Sequence, residues 1–134
     1  IGHERGLAPK PIWQLAGAGA VGAQSLTGMA MIAELCRDHA PDIAVWPFQP
    51  AETAPVVVAE TYLSLLPGET ARRTTRGMVK DAAQASSIAE GFLRLDRRGD
   101  LTRLFQPDAA PDLLAEEGWY LGAGQAALVQ SAFD

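Results

Sequence analysis

The stretch Ala44-Val45-Trp46-Pro47-Phe48, followed by Pro55-Val56-Val57-Val58-Ala59-Glu60-Thr61-Tyr62, decides the fold class of this chain. Val56, Val57 and Val58 form a continuous β-branched run, which predicts a strand buried on both faces of a parallel sheet. The run closes on a carboxylate, Glu60, where the chain leaves the sheet. In open α/β folds the carboxyl ends of the strands gather ligands and chemistry. Glu60 is therefore the leading candidate for a functional side chain. A strand-end acid also serves as a solvated or cap-forming residue, and that role stays open beside the functional one.

Upstream of these strands, helical spacing begins near Gln24 and sets Leu26, Met29, Ile32, Ala33 and Cys36 on one face, with Arg37 and Asp38 opposite and Pro41 as the stop. Gly17, Gly19 and Gly22 make a turn before it, and Ile12-Trp13-Gln14-Leu15 reads as a short strand or a loop edge. Residues 1–11, with Gly2, Gly6, Pro9 and Pro11, read as an irregular lead-in. Downstream, Tyr62 to Leu66 reads as a short helical turn stopped by Pro67-Gly68, and Glu69 to Gly77 as a polar, arginine-rich segment. A long helix follows from about Val79 to Asp96, carrying Val79, Ala82, Ala83, Ile88, Phe92 and Leu95, with Gly99 as its breaker. A shorter helix covers 100–105, Pro-Asp pairs at 107–108 and 111–112 punctuate, and Glu116 to Leu121 leads into a helical C-terminal segment. Strands alternating with helices predict an α/β fold, a small mainly parallel sheet flanked by helices.

A chain of 134 residues is expected to form a single domain over 1–134. With 48% hydrophobic against 20% charged residues it can bury a core, which excludes a disordered chain. The net charge of −5 excludes a general nucleic-acid coat protein, though not an enzyme that meets nucleic acid through a local basic patch. Cys36 is the single cysteine, so no internal disulfide framework exists and a reduced, cytoplasmic setting is expected. No apolar run approaches the ~18 residues of a membrane span, and no membrane partner is expected. The opening Ile1-Gly2-His3-Glu4-Arg5 lacks both a methionine and the order of a signal peptide, so further sequence is expected upstream.

Gly17-Ala18-Gly19-Ala20-Val21-Gly22 matches the G-x-G-x-x-G dinucleotide fingerprint, in which glycines let backbone N–H groups approach a pyrophosphate at a helix N-terminus. The strand before it is short and hemmed in by Pro9 and Pro11, and the second strand ends at Pro47-Phe48-Gln49 where a ribose-binding acid belongs. No nicotinamide or flavin is therefore expected, and a dinucleotide-dependent oxidoreductase ranks third among the functions considered. His3 and His39 form no ligand-spaced pair for zinc, and Ser25, Ser64, Ser86 and Ser87 lack a nucleophile-elbow context. Arg72, Arg73 and Arg76, with Lys80, form a compact basic cluster. Such a run is a solvated loop or, beside carboxylates, a holder of phosphates, since guanidinium forks match phosphate oxygens.

Three stretches together, Lys10 to Gly22, Ala44 to Phe48 and Val57 to Tyr62, resemble a bacterial family of uncharacterised proteins regarded as nucleases with a ribonuclease H-like fold. Some relatives carry the label of molybdopterin guanine dinucleotide synthesis proteins. The resemblance covers residues 10–66 and extends more loosely to about residue 95. It implies that the chain is the C-terminal portion of such a fold, without the family's N-terminal strand and its early aspartate. It also implies a metal-dependent phosphodiesterase acting on nucleic acid or a nucleotide through Mg²⁺ or Mn²⁺. Glu60 matches the family's strand glutamate, and Asp81 the aspartate that begins a late helix; both are the expected catalytic and metal residues. Arg72, Arg73 and Arg76 are the expected phosphate contacts. The motif Thr61-Tyr62-Leu63 lacks the family's usual proline. With two acids alone, tight metal binding and strong nuclease activity are not expected of these residues by themselves. The alternative is a non-catalytic interaction or nucleotide-binding module.

Overall fold

Helix α1 runs from Gly22 to His39 in a computed structural model that describes residues 14–17 and 20–134. Ala40, which precedes Pro41, is extended (φ −65°, ψ 139°), because the proline ring pushes the residue before it out of the helical region. Arg37 and His39 occupy the last turn, where cations complement the helix dipole. The expected apolar face is not a core face. Leu26 and Met29 are 57% and 51% exposed, and the buried residue of α1 is Gly22. Periodicity identified the helix but could not say whether anything covers it. Of the glycine fingerprint, residues 18 and 19 lie outside the described residues, as do Ile12, Trp13 and His3. Gln14 and Leu15 form no strand; the Gln14 carbonyl accepts the Gly22 N–H at 3.2 Å.

Three strands follow the α/β expectation: β1 (Ile43–Trp46), β2 (Val56–Thr61) and β3 (Tyr120–Leu121). They form a small parallel sheet in the order β1-β2-β3, flanked by helices, with Glu60 opposite Tyr120 and Thr61 opposite Leu121. The valine run departs from expectation, since Val56 is 50% exposed and Val57 and Val58 are only half-buried. The reason is the brevity of β3: it reaches only Glu60 and Thr61, leaving the valines with β1 alone alongside. β1 stops at Trp46, and Gln49 turns the chain by bonding Val45 twice, through its backbone N–H and its side-chain carbonyl.

Pro67 opens a helix instead of stopping one. Helix α2 is Pro67–Thr75, preceded by a turn in which the Leu65 N–H meets the Tyr62 carbonyl at 3.1 Å. Proline suits the first helical turn because its missing N–H has no intrahelical partner there. The same rule places α4 at Pro111–Glu117, where punctuation was expected. Helix α3 (Lys80–Arg97) falls where the spacing predicts it and buries Ala83, Ser87, Ile88, Gly91 and Leu95 as one stripe. It packs on α2, on the 3-10 turns Leu101–Phe105 and Ser131–Phe133, and on α5 (Ala126–Gln130). Leu66, Leu95, Leu104 and Val129 are fully buried. A Cβ at Gly91 would stand 3.1 Å from Leu66 Cδ1, so the glycine lets Leu66 approach α3.

The chain divides into two compact units. The described part of the first comprises residues 14–17, 20–45 and 49–58, and includes α1 and the beginning of β2. The second comprises Trp46–Phe48 and Ala59–Asp134, and contains α2 to α5, β3 and the core named above. Within it the Trp46 and Phe105 rings meet edge to face, 5.6 Å between centroids.

Candidate functional site

Glu60 is the fifth of the six residues of β2, the middle strand, and it is exposed. Among the described residues its carboxylate has no hydrogen-bond or ion-pair partner. Asp81 is likewise exposed, in the first turn of α3, where a carboxylate complements the positive end of the helix dipole. No group of three or more His, Cys, Asp or Glu side chains gathers as a metal site among the described residues.

The arginine cluster has a different setting from the one expected. Because residues 67–75 are helical, Glu69, Arg72 and Arg73 fall at i, i+3 and i+4 on one face. Arg72 Nε donates to Glu69 Oε2 at 2.7 Å and its Nη2 to Oε1, a two-pronged contact. Arg73 Nε donates to Glu69 Oε1 at 2.8 Å while its Nη2 reaches Glu90 on α3. Glu90 in turn accepts from Arg94. Arg72 and Arg73 are thus both engaged by carboxylates, and Arg73, through Glu90, ties α2 to α3. Arg76, at the C-cap of α2, has no ion pair among the described residues and is the guanidinium left open.

The Glu69 side chain is 6% exposed, so its charge depends on these partners. The Arg72 hydrogen bond holds its carboxyl below the usual range against the opposing effect of burial, and Arg73 adds to the lowering. Arg73, then Arg94, holds Glu90 low as well. Glu69 did not stand out in the sequence, because Glu69 to Gly77 read as a polar, arginine-rich segment, and Glu90 carried no signal within the long helix expected over Val79 to Asp96. Once α2 is recognised, the spacing Glu69-Arg72-Arg73 makes the pairing legible.

A lowered carboxyl pKa in the folded state gives stability that is complete above the unfolded value and is lost as pH falls through the folded one. Glu69→Gln is therefore expected to be less stable than the parent at neutral pH by about 1–2 kcal/mol, since Arg72 is half exposed and its contact is screened. The gap should narrow below about pH 4, where the parent's carboxylates protonate. Urea titrations between neutral pH and pH 3 check this, and a gap that stays constant contradicts it.

A second feature lies on the same pair of helices. A cleft of about 530 Å³ is lined by Ser64, Thr70, Thr74, Thr75, Lys80 and Gln84, among others. Comparison with protein-family models, curated proteins and solved structures finds no match to this chain.

Proposed function

We propose that this chain contributes the carboxylate part of a phosphodiesterase with a ribonuclease H-like fold, acting on nucleic acid or a nucleotide. The observation that carries the reading is Glu60: an exposed carboxylate, without a partner among the described residues, near the carboxyl end of the middle strand of a parallel sheet. Ligands of open α/β sheets bind outside that edge. Glu60 is the residue suited to accept a proton from an attacking water, and Asp81 is a second exposed acid. Of the three arginines, Arg76 is the one whose guanidinium is available to a phosphate, because Arg72 and Arg73 serve Glu69 and Glu90.

Mg²⁺ and Mn²⁺ take about six oxygens, and the described residues do not assemble such a set. The product of the complete gene, assayed on DNA and RNA with and without Mg²⁺ or Mn²⁺, should cleave phosphodiesters. Glu60→Gln should reduce the rate by about a hundredfold or more, the usual contribution of a positioned acid or base. A protein that stays inert under all these conditions, or a Glu60→Gln variant as active as the parent, removes the reading.

A non-catalytic interaction module is the second reading, and one observation favours it. Leu26, Met29, Met31 and Leu35 of α1 are all exposed, between 43% and 66%. They fall on two opposite sides of the helix, Leu26 with Met29 and Met31 with Leu35, and exposed apolar surface of this kind is what a partner would cover. An inert gene product would bring this reading forward.

A further inference from the structure

We infer that Gln49 closes the outer edge of β1 against strand pairing with a second copy of this chain. The inference is independent of the role given to Glu60. β1 stands at the edge of the sheet in the order β1-β2-β3, so one side of its backbone has no neighbouring strand. A row of N–H and C=O groups left in this way is a template on which another chain can add a strand.

One bond fixes the direction of each backbone group. The Asp42 carbonyl accepts the Val56 N–H of β2 at 3.0 Å, so residue 42 faces β2. Backbone groups alternate in direction along a strand, so Ala44 also faces β2 while Ile43 and Val45 face outward. β1 is four residues long, and these two are its outward positions. Both are only half-buried.

Gln49 occupies both groups of one of them. Its side-chain Oε1 accepts the Val45 N–H at 2.8 Å, and its backbone N–H donates to the Val45 carbonyl at 2.9 Å. A neighbouring strand would offer Val45 the same two bonds, one to each group. With Val45 occupied, Ile43 is the single outward position left on the strand, and one residue does not make a ladder. Gln49 is exposed, so its amide is placed by the bond to Val45 and not by burial in a core. The neighbouring sequence acts in the same sense, because Pro47 and Pro50 have no N–H with which to prolong the edge.

Once opened, this edge suits a second copy of itself. Two copies can pair antiparallel about a twofold axis at Ala44, with Ile43 of each opposite Val45 of the other. In that pair the Val45 N–H meets the Ile43 carbonyl of the second copy, the bond for which Gln49 Oε1 substitutes. Both outward residues are β-branched, which favours extended pairing.

The test is sedimentation velocity of the full chain and its variants over a range of protein concentrations. Gln49→Ala removes the acceptor and should tighten self-association about tenfold or more relative to the parent, since each of two copies loses the bond that competes with pairing. Adding Ile43→Pro to Gln49→Ala should restore the parent's behaviour, because proline removes an outward N–H and leaves the bonds to β2 in place. Amide hydrogen exchange reads the same contact in the parent, with no variant to fold: the Val45 N–H should exchange about tenfold more slowly than that of Ile43. A Gln49→Ala variant that associates no more than the parent, an association that Ile43→Pro leaves intact, or Val45 and Ile43 amides that exchange alike in the parent would overturn the inference. The readouts are mass and exchange and not cleavage, so this edge and the Glu60 reading fail separately.

Discussion

Alanine at Gly122 is expected to destabilise the protein by about 2–4 kcal/mol, and alanine at Gly124 by about 1–2 kcal/mol. Both glycines lie in the turn after β3 and both have positive φ, +88° and +75°. An L side chain is strained at either position by its clash with the following carbonyl. The two sites differ in space. A Cβ at Gly122 would stand 3.1 Å from Leu65 Cδ1 and 3.1 Å from Val129 Cγ2, whereas one at Gly124 meets nothing within 4 Å. Val129 is fully buried and Leu65 nearly so, so neither yields without disturbing the core. Chemical denaturation of the two variants separates backbone strain from overpacking. Equal losses at both positions would show that the core absorbs the extra methyl group.

Leu95→Ala should bring a loss of about 3–4 kcal/mol, a sizeable part of the 5–15 kcal/mol that holds a typical domain together. Leu95 is 0% exposed and ends the buried stripe of α3, the helix on which α2, α5 and two 3-10 turns pack. Truncation there removes apolar contact and leaves a void in a region with little freedom to collapse, since Leu66, Leu104 and Val129 are also fully buried. Leu93 is a control on the same helix: it is 48% exposed, and its alanine variant should lose less than about 1 kcal/mol. Thermal melts of both variants read the contrast. A Leu95→Ala variant as stable as Leu93→Ala would place the core elsewhere.

Much of the candidate chemistry turned on one boundary. In sequence Pro67-Gly68 reads as a stop, which leaves Glu69 to Gly77 as a polar, arginine-rich segment whose three arginines look free to hold phosphates. Proline serves equally as the first residue of a helix, and its role depends on what the following residues pack against. Once 67–75 is helical, Glu69 meets Arg72 and Arg73, and Glu90 from α3 completes the network. The partner that decides between a phosphate contact and a structural ion pair lies on another helix, seventeen residues away for Arg73 and Glu90.

Local pattern by itself determined the helices 22–39 and 80–97, the strand pair containing Trp46 and Glu60, and the α/β class. These follow from side-chain periodicity, β-branching and the backbone limits of proline, which act within a few residues. Only the tertiary structure decided what each face meets. Leu26 and Met29 have ideal helical spacing and remain exposed, while Ser87 on α3 is wholly buried, its hydroxyl satisfied by the Ala83 carbonyl at 2.6 Å. Strand β3 is two residues long, too short for any period, and exists because Tyr120 and Leu121 pair beside Glu60 and Thr61. The cleft lined by Thr74, Lys80 and Gln84 had no sequence signature, since its walls run along the length of α2 and onto the first residues of α3, which packing sets side by side. Burial and pairing are properties of contacts between distant segments, and a single segment's pattern states only its readiness to make them.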